Sequence, residues 1–155
     1  MQKSWWNGMK YKLELLINKP RAEVWRLFDD PANMNQWQPS LIRFERQSGV
    51  SGQPGAVARL TFKSGEREYS LTEKVTFRAE PERLDEVYEN EYAENVVKNT
   101  FLEQGKDTTL WKVEVEFKFK TLFMKVLGPL RKKNFVIRTQ RDMERFKELA
   151  GNSRA

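Results

Sequence analysis

Glu73 is the position at which this sequence departs most from the pattern around it. Tyr69, Leu71, Val75 and Phe77 alternate with Ser70, Thr72, Lys74, Thr76 and Arg78, so a two-residue period places Glu73 on the apolar side of a strand. A carboxylate held there is costly unless it is paired, hydrogen-bonded or protonated. Such a group can orient a ligand hydroxyl or act as an acid or base. The bland alternatives are a bulge that turns it outward and an ion pair with a neighbouring strand. Asn99 shares a strand face with Val97 and Phe101, and Tyr88 alternates along the preceding strand with Asn90. Amides and phenols hold a carbonyl or hydroxyl without charge, although cross-strand pairing uses the same groups. Glu73, Tyr69 and Asn99 are therefore the candidates for moving or stabilising a proton, with Tyr88 as a further polar contact. A register slip of one residue would send all of them to solvent.

The 155 residues include no cysteine and no histidine. Ser-His-Asp and Cys-His mechanisms cannot be assembled, nor can thiolate or imidazole metal sites, so no metal and no cofactor are expected. Any catalysis falls to Asp, Glu, Lys, Arg, Tyr or Ser. The first eight residues carry no signal-peptide core and no apolar run approaches the length of a membrane span, so a cytoplasmic location is expected.

Periodicity supplies the elements that carry these side chains. Tyr11, Leu13, Leu15 and Ile17 alternate with polar residues and predict a strand ending at Pro20. Arg21 to Asp29 has helical spacing and is broken by Asp30-Pro31; Ala32 to Trp37 is a second short helix, closed by Pro39. The period then becomes two, predicting strands over 41–47, 56–63, 66–78, 84–91, 96–103 and 111–120 with turn formers between them. Residues 122–149 read as one long helix that covers the apolar side of the sheet, with Val136, Met143, Phe146 and Ala150 on one face. No repeat or linker interrupts this order. One α+β domain spanning 1–155 is expected, with tails at 1–8 and 151–155.

That order, together with particular runs, resembles the START/polyketide-cyclase-like superfamily (SRPBCC, Bet v 1-like) of helix-grip proteins. The matching residues are Ile17-Asn18-Lys19-Pro20, Val24 to Pro31, Trp37-Gln38-Pro39, Gly52-Gln53-Pro54-Gly55, Ala79-Glu80-Pro81 and Gly105 to Thr109. The resemblance implies a curved antiparallel sheet of six to seven strands around a long C-terminal helix, with two short helices after the first strand. It also implies a cavity between sheet and helix. The inward faces supply Leu60, Phe62, Tyr69, Leu71, Val75, Phe77, Trp111, Val113, Val115 and Phe117 as its wall, unless these residues fill a solid core. Trp25 and Trp37 lie in the short helices that close one end of the groove in such proteins; both suit packing, and Trp37 is also a candidate ligand contact. Trp5 and Trp6 suit cover for a sheet edge or a dimer contact.

Superfamily members include polyketide cyclases, lipid and quinone carriers and hormone receptors, so fold alone does not select an activity. The first expectation is binding of a small hydrophobic or aromatic metabolite. The second is an enzyme resembling polyketide cyclases, and the third a lipid or quinone carrier. The net charge of +6 is concentrated after Phe117, where eleven basic residues face three acidic ones. Within that stretch, 122–133 joins apolar bulk to Arg131, Lys132 and Lys133. It reads either as the first turns of the covering helix, apolar side inward, or as a lid that touches anionic lipid. Mixed charge elsewhere, without a recognition motif, argues against nucleic acid.

Overall fold

In the computed structural model, which describes residues 8–153, every alternating stretch is a strand. The strands are β1 (Gly8–Ile17), β2 (Leu41–Ser48), β3 (Val57–Ser64), β4 (Arg67–Ala79), β5 (Arg83–Glu89), β6 (Ala93–Glu103) and β7 (Thr109–Phe119). Helices α1 (Arg21–Asp29) and α2 (Met34–Trp37) follow β1, joined by a 3-10 turn at Pro31–Asn33. Helices α3 (Leu122–Leu130) and α4 (Lys132–Asn152) end the chain. All seven strands form one antiparallel sheet in the order β1-β7-β6-β5-β4-β3-β2, so the first strand pairs with the last. Trp5 and Trp6 lie outside the described residues.

Three bulges bend the sheet. Two lie between β2 and β3, at Leu41/Arg43 and Arg46/Ser48, and the third interrupts β4 between Val75 and Phe77. An extra residue on one strand strengthens twist and reverses the facing of the residues beyond it. In β4 that residue is Thr76. The period-two expectation for the end of this strand is therefore wrong: Phe77 points outward, 44% exposed, and Arg78 turns inward. Phe77 serves as a platform for Arg83, whose guanidinium lies 4.8 Å from the ring centre.

The C-terminal helix also departs from expectation. Residues 122–149 are not one helix but two, separated at Arg131. Pro129 cannot donate a backbone hydrogen bond, and Gly128 sits so close to Phe119 that a Cβ atom there would lie 2.3 Å from the ring. Gly128 thus lets α3 pack against the end of β7. Helix α4 continues past the expected end at Leu149 to Asn152, into the stretch expected as a tail, and the Lys19 ammonium donates to the Ser153 carbonyl at 3.1 Å. Its buried residues Met143, Phe146 and Ala150 follow the predicted three- and four-residue spacing.

The buried side chains form two separate groups. One joins α1, α2, β6, β7 and α4 through Phe28, Trp37, Phe101, Trp111 and Phe146, whose rings meet at 5.0–6.0 Å. The other comprises Leu41, Ala58, Leu60 and Phe62, with Phe44, Tyr69, Leu71 and Tyr88 against them. A domain of this size usually has one continuous core. Here the space between the groups is open.

Candidate functional site

That space is a cavity of about 870 Å³ between the concave side of the sheet and helix α4. Its size lies within the range of small-molecule sites. Strand register determines what lines it. One row across the sheet reads Tyr11, Val115, Val97, Glu86 and Val75, and the next reads Phe117, Asn95, Tyr88, Glu73 and Ala58. The floor is apolar toward β1 and β7 and acidic where β4 meets β5.

Glu73 and Glu86 are diagonal neighbours on that floor and lie within hydrogen-bonding reach of each other. Both are buried, at 5% and 8% exposure. The Tyr88 hydroxyl donates to Glu86 Oε1 at 3.1 Å, whereas Glu73 Oε2 has no hydrogen-bond partner. Among the described residues, no lysine or arginine forms a salt bridge with either carboxylate. Burial raises the pKa of Glu73, and that of Glu86 is raised well above the usual carboxylate range, first by burial and then by the charge of Glu73. Two carboxyls so placed disfavour ionising together. Tyr88 is raised for the same reasons, burial first and the two carboxylates next, and so stays a neutral donor.

The remaining polar groups are divided between those engaged within the protein and those left open. Asn99 Oδ1 accepts from Trp111 Nε1 at 3.0 Å, and the Tyr11 hydroxyl lies 2.8 Å from Thr139 Oγ1, tying β1 to α4. Asn95 Oδ1 and Trp37 Nε1 are buried in the cavity wall without partners. Arg78 is not available to the acidic pair. Its guanidinium donates twice to Asp29, at 2.7 Å each, and also to Glu80 and the Gly52 carbonyl, while lying over the Trp25 ring. This bidentate pair joins α1 to β4, and its first effect is to raise the Arg78 pKa further.

The site residues expected from sequence all lie on the cavity wall: Phe62, Tyr69, Leu71, Glu73, Val75, Tyr88, Asn99, Trp111, Val113, Val115 and Trp37. Of the wider wall, Phe117 is present, Leu60 is buried in the second hydrophobic group and Phe77 faces out. The three candidates for proton chemistry are not brought together. Tyr69 precedes Glu73 by four residues on β4, about 13 Å along the strand, and stacks on Phe62 beneath Arg138. Asn99 is engaged by Trp111. Glu73 instead meets Glu86 and Tyr88. Sequence reasoning missed Glu86 although it shares strand parity with Leu84 and Tyr88, and it missed Asn95 because β6 begins three residues before the expected start.

A bent antiparallel sheet wrapped on a C-terminal helix, with a hollow between them, is the helix-grip fold of START and Bet v 1-like proteins. Solved structures agree with it along nearly the whole chain. Norcoclaurine synthase from Thalictrum flavum, in complex with dopamine and hydroxybenzaldehyde, superposes with a TM-score of 0.71 at 16% identity, covering 96% of this chain and 89% of that one. A Thermus thermophilus protein gives 0.76 at 17% identity, covering 94% and 100%. A START superfamily protein from Mycobacterium smegmatis gives 0.72 at 14% identity, covering 90% and 98%. At these identities the likeness is one of fold. No curated protein sequence matches the chain. Residues 10–151 match the family described as polyketide cyclase/dehydrase and lipid transport, and the chain belongs to that family.

Proposed function

We propose that this protein binds a small, largely apolar or aromatic metabolite in the cavity, with the Glu73–Glu86–Tyr88 group holding a polar atom of the guest. The observation that carries this reading is the pairing of a hollow of about 870 Å³ with a buried, unpartnered Glu73 Oε2 on its wall. A folded protein ordinarily pairs such an oxygen, and a ligand hydroxyl or amine would do so here. Trp37 Nε1 and Asn95 Oδ1 offer a further donor and acceptor along the wall. Aromatic residues at one end supply flat apolar surface for a ring. A sequence without cysteine suits a reducing, cytoplasmic setting for this role.

A second reading, an enzyme resembling polyketide cyclases, is favoured by the closeness of two buried carboxyls, Glu73 and Glu86, on the cavity wall. A protonated carboxyl can give its proton to a ligand oxygen while the ionised partner takes one from carbon, provided that the cavity folds the chain against them. Glu86 and Glu73 would then divide those roles. Mass spectrometry of the freshly purified protein under native conditions tests the first reading: a non-covalently held small molecule is expected, and a mass equal to the bare chain after purification without detergent counts against it. Turnover of a poly-ketone surrogate that vanishes in Glu86→Gln and Glu73→Gln, with binding retained, would favour the second.

A further inference from the structure

We propose that helix α3 docks on anionic lipid bilayers, placing one mouth of the cavity at the membrane surface. Much of the apolar surface of α3 faces away from the core. Leu122, Phe123, Val126 and Leu130 are 79%, 70%, 64% and 77% exposed, and Tyr92, in the β5–β6 turn, is 50% exposed. Positions 122, 126 and 130 recur every four residues and so form one stripe along the helix, with Phe123 beside it. Such a concentration of exposed large apolar side chains on a nine-residue helix marks an interaction surface.

Charge identifies the occupant. From Lys118 to Arg141 the chain carries eight basic residues and no acidic one. Lys118 and Lys120 pair with Glu94 and Glu89, whereas Lys125, Arg131, Lys132 and Lys133 form no salt bridge among the described residues. An apolar stripe bordered by uncommitted cations suits the boundary between acyl chains and anionic headgroups. Two copies of this chain meeting through α3 would bring like charges together, which disfavours self-association. None of the described helices is long and apolar enough to cross a membrane, so the contact is peripheral.

The geometry also gives the contact a use. Tyr92 and Phe123 are exposed and at the same time belong to the cavity wall, as does Met124 of α3. A guest poorly soluble in water could therefore pass between bilayer and cavity without crossing solvent. Docking itself does not depend on what the cavity holds.

Flotation of the full chain with vesicles of phosphatidylcholine alone, or with one third phosphatidylglycerol, tests the proposal. The protein is expected to float with the anionic vesicles at low salt and at least about tenfold less with neutral vesicles or in high salt, as surface attraction screened over a Debye length requires. Leu122→Asp/Val126→Asp and Lys132→Glu/Lys133→Glu alter exposed positions, and circular dichroism checks that both fold. Each is expected to reduce flotation about tenfold or more. No flotation at low salt overturns the proposal, as does flotation that survives the apolar substitutions, which would mean charge attraction alone. A concentration-dependent dimer abolished by Leu122→Asp/Val126→Asp would assign the surface to self-association instead and would equally overturn it.

Discussion

Glu73 and Glu86 stand diagonally across the β4–β5 pair, Glu73 opposite Tyr88 and Glu86 opposite Val75, with the β4 bulge immediately beyond them. The bulge brings Arg78 to the inner side of the sheet without giving the pair a cation. Had β4 continued with a strict alternation, Arg78 would point to solvent; after Thr76 it turns inward, but Asp29 and Glu80 hold it. The acidic pair is left with Tyr88 and the unpartnered Glu73 Oε2.

The pair makes stability depend on pH in an unusual direction. Both folded-state values are raised, so the associated stability is fully present below the unfolded carboxylate value of about 4.3 and is lost as pH rises through the raised folded values. Urea unfolding midpoints of the wild type are expected to carry a contribution that falls as pH rises above the ordinary carboxylate range and that Glu86→Gln removes. The variant's advantage should grow as pH rises, since a neutral amide replaces a buried carboxylate that has no cationic partner. Coincident profiles for the two proteins would contradict this account of the pair.

Arg78 joins the helical end of the molecule to the sheet. Arg78→Met keeps the aliphatic stem but removes the guanidinium from the Trp25 ring and leaves Asp29 without its bidentate partner. Because Asp29 retains some access to water, a loss of about 2–3 kcal/mol is expected from urea denaturation, below the range for a fully buried pair. An unchanged midpoint would show that α1 is held by packing alone.

Asn99 is expected to act on Trp111 rather than on a guest. Asn99→Ala leaves the indole N–H of a residue only 1% exposed without its acceptor, for a cost of about 1–3 kcal/mol in thermal or urea unfolding. Ligand affinity should change less than in Glu73→Gln. The opposite ranking would restore Asn99 as a direct contact.

Gly128 is required by contact, not by backbone conformation. Gly128→Ala places a methyl group against the Phe119 ring and should destabilise by about 1–3 kcal/mol. Combining it with Phe119→Leu should be less than additive, because the second change makes the room that the first needs. Additive effects in a double-mutant cycle would contradict this packing.

Much of the architecture was legible in period and punctuation. Trp111, Val113, Val115 and Phe117 alternate without interruption, and β7 faces the cavity as that pattern requires. Pro20, Pro31 and Pro39 bound the short helices where the structure places them. Features that depend on an extra residue or a long-range partner could not be read. Thr76 has no property that announces a bulge, so the facing of Phe77 and Arg78 was beyond the alternation rule. Glu86 carried a readable signal, its parity with Tyr88, but its meaning comes only from Glu73 across the strand. Gly128-Pro129 was visible as punctuation; that it divides two helices and leaves Leu122, Val126 and Leu130 outside depends on contact with Phe119.

The hollow between sheet and α4 is tested most directly by fluorescence titration with a neutral apolar probe, N-phenyl-1-naphthylamine, against the wild type and Val97→Trp. Val97 lies in the middle of the cavity floor, and an indole there would fill much of the space. Saturable one-to-one binding by the wild type is predicted, with loss of binding in the variant and unchanged circular dichroism. Absence of saturable binding to the wild type, or equal binding by both proteins, would contradict an internal guest site.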